Sequence, residues 1–303
     1  MENPPLVSII TVNYNQSVVT SQLLETLTKI SYPNYEVIVV DNASPTDNPD
    51  WLKEKFPNIT LIKTEANLGF AGGNNRGIRE SGGKYLLFIN NDTEVPEDFL
   101  EPLVEFLESN DKAGMVSPKI KFHWDSTLIQ YAGFTKMNPY TIRNSSIGYH
   151  RTDSHEFDIV SVTESVHGAA MMVPRRVIEK IGLMPEVYFL YYEEHDWAEM
   201  AKKAGFKVYY NPKSFILHKE SVSTGKDSPF KTYYLNRGRL IYTRRNNRGL
   251  KLIVSLIFQI FVSLPKNTLL LLLKRDFSNL AAYWRAYMWN LLNWRGVMNN
   301  PKL

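Results

Sequence analysis

Asn90, Asn91 and Asp92 follow directly on the apolar run Tyr85-Leu86-Leu87-Phe88-Ile89. Ligands of open α/β sheets gather beyond the carboxyl ends of such strands, which makes the triplet a candidate binding point. The same residue types also build an ordinary turn and helix N-cap, with Pro96 in a first helical turn, and the triplet alone fits both readings. Asp41, just past "VIVV", can accept hydrogen bonds from a nucleotide's base or ribose hydroxyls, although Asp-Asn at a strand end also serves as a cap. Glu193, Glu194 and Asp196 open an amphipathic helical pattern, where acids are stabilised by the helix dipole whatever else they do. The 303 residues include no Cys, which excludes disulfides and thiolate chemistry, so any metal must sit on Asp, Glu, Asn or His.

Residues 67–78, "NLGFAGGNNRGI", concentrate glycine at positions 69, 72, 73 and 77. Glycines there let the backbone approach a flat or charged ligand, and the following helix N-terminus favours anions. The stretch lacks both Gly-x-Gly-x-x-Gly and Gly-Lys-Ser/Thr and follows the third strand rather than the first. Those departures count against a dinucleotide oxidoreductase and a phosphate-loop ATPase.

The elements that must position these residues alternate as a βαβ sheet should. Apolar runs at 6–12, 35–40, 59–63 and 84–89 predict strands, with helices across 17–30, near 51–56 and at 74–80. Further strands are expected at "AGMVSPKI" and "GAAMMVP", then a helix from Glu193, then a strand pair, "FKVYYNP" and "SFILH". The fold class expected is α/β, with a Rossmann-like nucleotide-binding sheet flanked by helices over residues 1–225 and a helical tail over 226–303.

The net charge of +4 conceals a division: residues 226–303 hold 14 Lys and Arg against 2 Asp, leaving 21 basic and 29 acidic residues before them. An acidic body with a basic, apolar, aromatic tail points to an anionic membrane surface rather than nucleic acid. The apolar run 252–264 is broken by Pro265, Lys266 and Asn267 before "TLLLLLK" and is too short alone for the roughly 20 residues of a spanning helix, so a hairpin on or partly in the membrane is expected. Leu280, Tyr283, Trp284, Tyr287, Met288, Leu291 and Trp294 share one helical face, as in an interfacial helix. A helix packed on its own domain, or a homo-oligomer contact, is the other reading. The N-terminal apolar run is too short for a signal peptide, and a cytoplasmic protein bound peripherally to the inner face of the cell membrane is expected.

Taken in order, "VSIITVNYN", "VIVVDNAS", "NLGFAGGNNRGI", "LLFINNDTEV", "FLYYEEHDWAEMAKKAGF" and "FILHKES" resemble glycosyltransferase family 2, in particular its rhamnosyltransferase-like branch, over roughly residues 6–245. The resemblance implies a GT-A fold, a nucleotide-diphosphate-sugar donor, Mg²⁺ or Mn²⁺, and inversion at the anomeric carbon. It sets "INND" on the family's Asp-x-Asp motif, with Asn90 at the first acid, Asp92 at the second, and His218 completing the metal site. It makes Glu194 the general base, with Glu193 orienting it, and places Asp196 and Trp197 for acceptor binding. Glu194 stands where the family has Asp, which moves the carboxylate outward by one methylene. Donor contacts implied are Thr11, Asn13, Asp41, Asn67, Gly69, Gly72, Gly73, Asn74, Asn91, Gly168 and Ala169, with Lys219, Ser221 and Ser223 on the diphosphate. The donor expected is dTDP-rhamnose, with a UDP-hexose or UDP-N-acetylhexosamine as alternative, and the acceptor a lipid-linked or growing surface saccharide. The remoter alternative is a non-catalytic membrane scaffold, against which the joint presence of Asp92, Glu194 and His218 speaks.

Overall fold

The computed structural model describes residues 3–219 and 228–298. Its first half is the expected alternation: β1 (Val7–Asn13), α1 (Ser17–Leu27), β2 (Tyr35–Asp41), α2 (Asp50–Lys55), β3 (Ile59–Lys63), α3 (Gly69–Glu80) and β4 (Tyr85–Ile89). There follow β5 (Thr93–Glu94), α4 (Glu101–Glu108), β6 (Ala113–Phe122), β7 (Ile129–Tyr131), β8 (Ser161–Val162) and β9 (Ala170–Pro174). The body closes with α5 (Arg175–Ile181), α6 (Glu193–Lys203) and β10 (Lys207–His218). One mixed sheet results, in the order β3-β2-β1-β4-β9-β6-β10-β5, with β7 beside β6 and β8 beside β10. Strands β3, β2, β1 and β4 run parallel, and β9 pairs antiparallel with β4.

Alternation along the strands divides the core between the two faces of the sheet. Val7, Ile9 and Leu87 face Leu23, Leu27 and Leu103 of α1 and α4, whereas Ile10, Leu86 and Phe88 face Ile78, Val177 and Trp197 of α3, α5 and α6. Chain order reverses between β1 and β4, a topological switch point whose carboxyl end forms a crevice.

The expected strand pair after α6 is one bent strand. β10 stays parallel to β6 throughout, and its register shifts between Asn211 and Phe215, where Pro212 cannot donate to the ladder. Helix α3 begins at Gly69, five residues before the expected start. Its glycines serve packing: a Cβ at Gly77 would sit 2.5 Å from Ile10 Cγ2, and one at Gly73 3.0 Å from Val12. Gly73 and Gly77 thereby bring the helix close to β1.

Beyond the body lie α7 (Pro229–Asn246), α8 (Gly249–Phe258), α9 (Leu264–Leu273) and α10 (Phe277–Leu292). Pro265 does not break the apolar run. A π-helical turn at Gln259–Ser263 absorbs it, and one helix continues from Gly249 to Leu273, 25 residues, long and apolar enough by composition to cross a membrane. Only 11% of its apolar window is buried, so it is no core helix. Ser255, Gln259, Ser263 and Asn267, spaced four apart, turn inward: Gln259 donates to Thr243 of α7 at 2.7 Å, and Asn267 to the Tyr283 hydroxyl of α10 at 3.0 Å. Ile253, Ile257, Phe261 and Leu269 are exposed on the other side. The expected aromatic face of α10 is divided accordingly. Tyr283 is buried and the Tyr287 hydroxyl bonds the Gln259 carbonyl at 3.2 Å, while Trp284, Met288, Leu291 and Trp294 remain exposed.

Helix α7 joins the tail to the body, packing on α10 on one side and on α6 and the turn before it on the other. Arg237 donates to the Val187 and Tyr188 carbonyls, and a Cβ at Gly238 would come within 2.9 Å of the Tyr191 carbonyl oxygen.

Candidate active site

The three polar residues after β4 have three destinations. Asn90 follows the last residue of β4, its backbone N–H donating to the Ala169 carbonyl at 2.9 Å. Asn91 turns inward and donates to Thr20 Oγ1 at 3.0 Å; Thr20 donates in turn to Asn13 Oδ1, and Asn13 to Asp41 Oδ1 at 2.7 Å. This buried chain fixes the ends of β4, β1 and β2 against α1. Asp92 is carried onward to β10, where the pairing of Thr93 with His218 sets its Oδ1 3.1 Å from His218 Nε2.

Asp92 and His218 form the clearest candidate for a cation. His218 Nδ1 lies 2.7 Å from Gln130 Oε1, a carbonyl oxygen that can only accept, so Nδ1 carries a proton. On a neutral ring the Nε2 lone pair then faces the carboxylate. Asp92 Oδ1 is buried with His218 Nε2 beside it, so an oxygen and a nitrogen converge on one place that suits positive charge. The donor types suit a divalent ion with further ligands from water or a bound phosphate. Among the described residues no group of three or more His, Asp or Glu converges, so the protein's contribution is this pair, with the Asn90 amide on the same cavity wall.

That wall belongs to a cavity of about 670 Å³ at the switch point. Of the expected residues, Asn67, Gly69, Asn90, Asn91, Asp92, Gly168, Ala169, Glu193, Glu194 and His218 line it. Phe189, Tyr191 and Tyr192, all at positive φ, bend the chain so that α6 presents Glu193 and Glu194. Gly69 makes this possible, with φ +71° and no space for a Cβ, which would meet the Phe189 carbonyl at 2.2 Å. Burial, and then the neighbouring Glu194 charge, hold the Glu193 carboxyl well above its ordinary range. Oε2 of each glutamate is buried without a partner.

Several expected contacts lie elsewhere. Asp196 is buried and accepts from Tyr188, Arg245 and Asn246, and Trp197 is fully buried with its ring edge on Phe88 and Nε1 donating to Gly182. Neither lines the cavity, because the side of α6 that bears them packs inward. Asp41 is not on the cavity wall, since Asn13 and Ser44 occupy its carboxylate, and Asn13 lies behind the same wall. Thr11 is buried in β1, Gly72 and Gly73 are in packing contact, and Asn74 donates to the Phe70 carbonyl within α3. Lys219 bonds Gln22 and Glu94, and Ser221 and Ser223 lie outside the described residues. Gln130, which holds His218, drew no notice in the sequence, and His167, at the head of the stretch 167–176 that resembles the family's sugar-pocket strand, joins it on the cavity wall. Burial, and then the charges of His218 and His195, lower the His167 pKa to about 3.

Residues 8–182 match the sequence profile of the family described as Glycosyl transferase family 2. An N-acetylglucosaminyl-diphospho-decaprenol L-rhamnosyltransferase of Mycobacterium tuberculosis is 24% identical over 239 residues, 72% of this chain and 78% of that protein. A dTDP-rhamnosyl transferase of Shigella flexneri is 24% identical over 261 residues, 82% and 83% of the two chains. Among solved structures, a mannosyltransferase from Pyrobaculum calidifontis, in complex with GDP-Man and Mn²⁺, superposes with a TM-score of 0.60 at 17% identity, covering 96% of this chain and 88% of that one. The fold is therefore of the GT-A type, with a C-terminal apolar helix added.

Proposed function

The chain belongs to glycosyl transferase family 2, and on that premise we propose that it transfers rhamnose, with inversion, from dTDP-rhamnose to a lipid-linked saccharide at the inner face of the cell membrane. One observation carries the proposal: a single cavity at the switch point is lined by both the Asp92–His218 pair and the Glu193–Glu194 pair. The names of the Mycobacterium and Shigella relatives support rhamnose, and the first also supports a lipid-diphosphate acceptor in cell-surface polysaccharide synthesis.

Glu194 takes the proton of the acceptor hydroxyl as its oxygen bonds the anomeric carbon, while the bond from that carbon to phosphate breaks and the diphosphate leaves with the electron pair. Burial, and then the neighbouring Glu194 charge, hold the Glu193 carboxyl well above its ordinary range, which supports Glu194 rather than Glu193 as the base. Asp92 and His218 would hold Mg²⁺ or Mn²⁺, which when bound supplies positive charge against the leaving diphosphate. Asn90, a neutral amide, is suited to a water or a ribose hydroxyl beside it.

The outward apolar face of residues 249–273 rests on the membrane, with exposed Lys251, Lys266, Lys274 and Arg275 turned to anionic headgroups. A water-facing helix would turn its polar stripe outward. This one turns Ser255, Gln259, Ser263 and Asn267 toward its own protein.

The test is turnover by purified full-length protein given dTDP-rhamnose, UDP-hexoses and UDP-N-acetylhexosamines, with a polyprenyl-diphosphate saccharide, with and without chelator. Rhamnosyl transfer that chelator stops is expected. Preference for a UDP-sugar would replace the donor, and turnover of no nucleotide sugar would overturn the proposal.

A further inference from the structure

His167 sits where the loop before β9 reaches the cavity, and its ring has a fixed proton arrangement. The Ala169 amide donates to His167 Nδ1 at 3.1 Å, so Nδ1 must keep its lone pair. A neutral imidazole with Nδ1 as acceptor carries its hydrogen on Nε2. The ring plane is held by Phe134, stacked at 5.9 Å with an interplanar angle of 6°, and by Tyr131 at 5.3 Å. The His218 ring lies 6.1 Å away, so His167 stands beside the Asp92–His218 pair. Phe134 also touches the His195 ring, at 5.0 Å, and His195 adjoins Glu194. One aromatic side chain thus packs against both His167 and the neighbour of Glu194.

The next residue defines what the ring can meet. A Cβ built on Gly168 finds no atom within 4 Å, so the wall beside His167 opens into empty space.

We propose that His167 is a specificity-determining residue whose Nε2–H donates to a hydroxyl oxygen of the donor's sugar, in the space beside Gly168. This rests on the glycosyltransferase reading above. The ring suits a neutral oxygen: Nδ1 is committed to the Ala169 amide, so the side chain offers one directional hydrogen and no charge. A diphosphate would instead be met by cationic groups.

Two substitutions separate this contact from a structural part in the turn. His167→Asn keeps an acceptor near the Nδ1 position for the Ala169 amide and leaves no donor at the Nε2 position. His167→Gln keeps a donor near the Nε2 position and loses the turn acceptor. Affinities of the full-length variants for dTDP alone and for dTDP-rhamnose, or for the nucleotide sugar that the wild type turns over, are compared by calorimetry. His167→Asn should bind the nucleoside diphosphate as the wild type does but the nucleotide sugar about tenfold more weakly, and His167→Gln should recover most of that loss. A deoxy-sugar donor lacking the contacted hydroxyl should bind wild type and His167→Asn alike. Equal loss for the diphosphate and the nucleotide sugar would move the contact to phosphate and overturn the proposal. So would wild-type sugar affinity in His167→Asn, or a larger sugar-specific loss in His167→Gln. If the wild type binds no nucleotide sugar, the family reading of the site fails first, and that outcome is distinct from an unchanged His167→Asn.

Discussion

Arg245 of α7 and Asp196 of α6 form a buried ion pair, and Asn246 donates to the second carboxylate oxygen at 2.7 Å. The pair fastens the helix that presents the acid pair to the helix that leads into the tail. Removing one partner strands the other charge out of water, so Arg245→Ala should cost about 3–5 kcal/mol and Asp196→Ala a similar amount. The double variant should cost less than the sum, as denaturant unfolding of the four proteins would show. Additive losses would mean that the two charges do not depend on each other.

Asp92→Ala should abolish transfer and weaken donor binding, since it removes the carboxylate of the Asp92–His218 pair. Asn90→Asp should retain or raise activity by adding a second carboxylate to the same wall. Mn²⁺ titration by calorimetry or electron paramagnetic resonance, beside turnover, checks both. Full activity of Asp92→Ala in chelator would remove the metal from the site.

Glu194→Gln should keep nucleotide-sugar affinity and lower turnover by about 10² or more, as loss of a general base does, and Glu193→Gln should do less. The reverse order would make Glu193 the base.

Glu193 also sets a pH dependence of stability. Its folded pKa is raised, so below the ordinary glutamate pKa of about 4.3 both folded and unfolded chains hold the proton. As pH rises past that value the unfolded chain ionises while the folded chain keeps its proton, and stability falls until the folded pKa is passed. Glu193→Gln carries no such loss. Its unfolding free energy should gain on wild type with rising pH from about pH 5 upward; parallel curves for the two proteins would contradict this.

For the tail, charges placed on the outward face are a gentler test than truncation, because cutting after Arg248 would strip Trp289 from Arg237 and Asn290 from Arg244. Ile257→Glu with Phe261→Glu should leave melting unchanged and abolish co-flotation with anionic vesicles. Wild type should float at low salt and still partly at high salt, since apolar burial is not screened. Equal flotation of both proteins would end membrane docking by this face. A drop from dimer to monomer without change in flotation would favour self-association instead.

The strands of the first half, the start of α6 and the last strand's end at His218 were legible because continuous apolar runs and turn residues mark them. What periodicity leaves open is direction. Glycines at 73 and 77 look the same in sequence whether the backbone approaches a ligand or, as here, Val12 and Ile10. Asp196 and Trp197 lie within one turn of the acid pair, and only the placement of α7 and Phe88 shows that both face inward. Gln130 carried no signal, since its significance comes from β7 meeting β10 across β6, and His167 drew notice only through the small residues beside it. Pro265 misled because a proline's cost depends on whether the preceding turn can widen.

Helix α7 begins on the cavity wall, with Ser228 and Lys231, and ends where the outward apolar face starts at Leu250. Its 18 residues rise about 27 Å, the length of helix that separates the cavity wall from the near end of that face. Because inward hydrogen bonds clamp the two together, the enzyme works as a rigid bracket of fixed reach. On the membrane reading proposed above, the reach of that bracket, rather than any motion of the tail, would set how far from the bilayer transfer takes place.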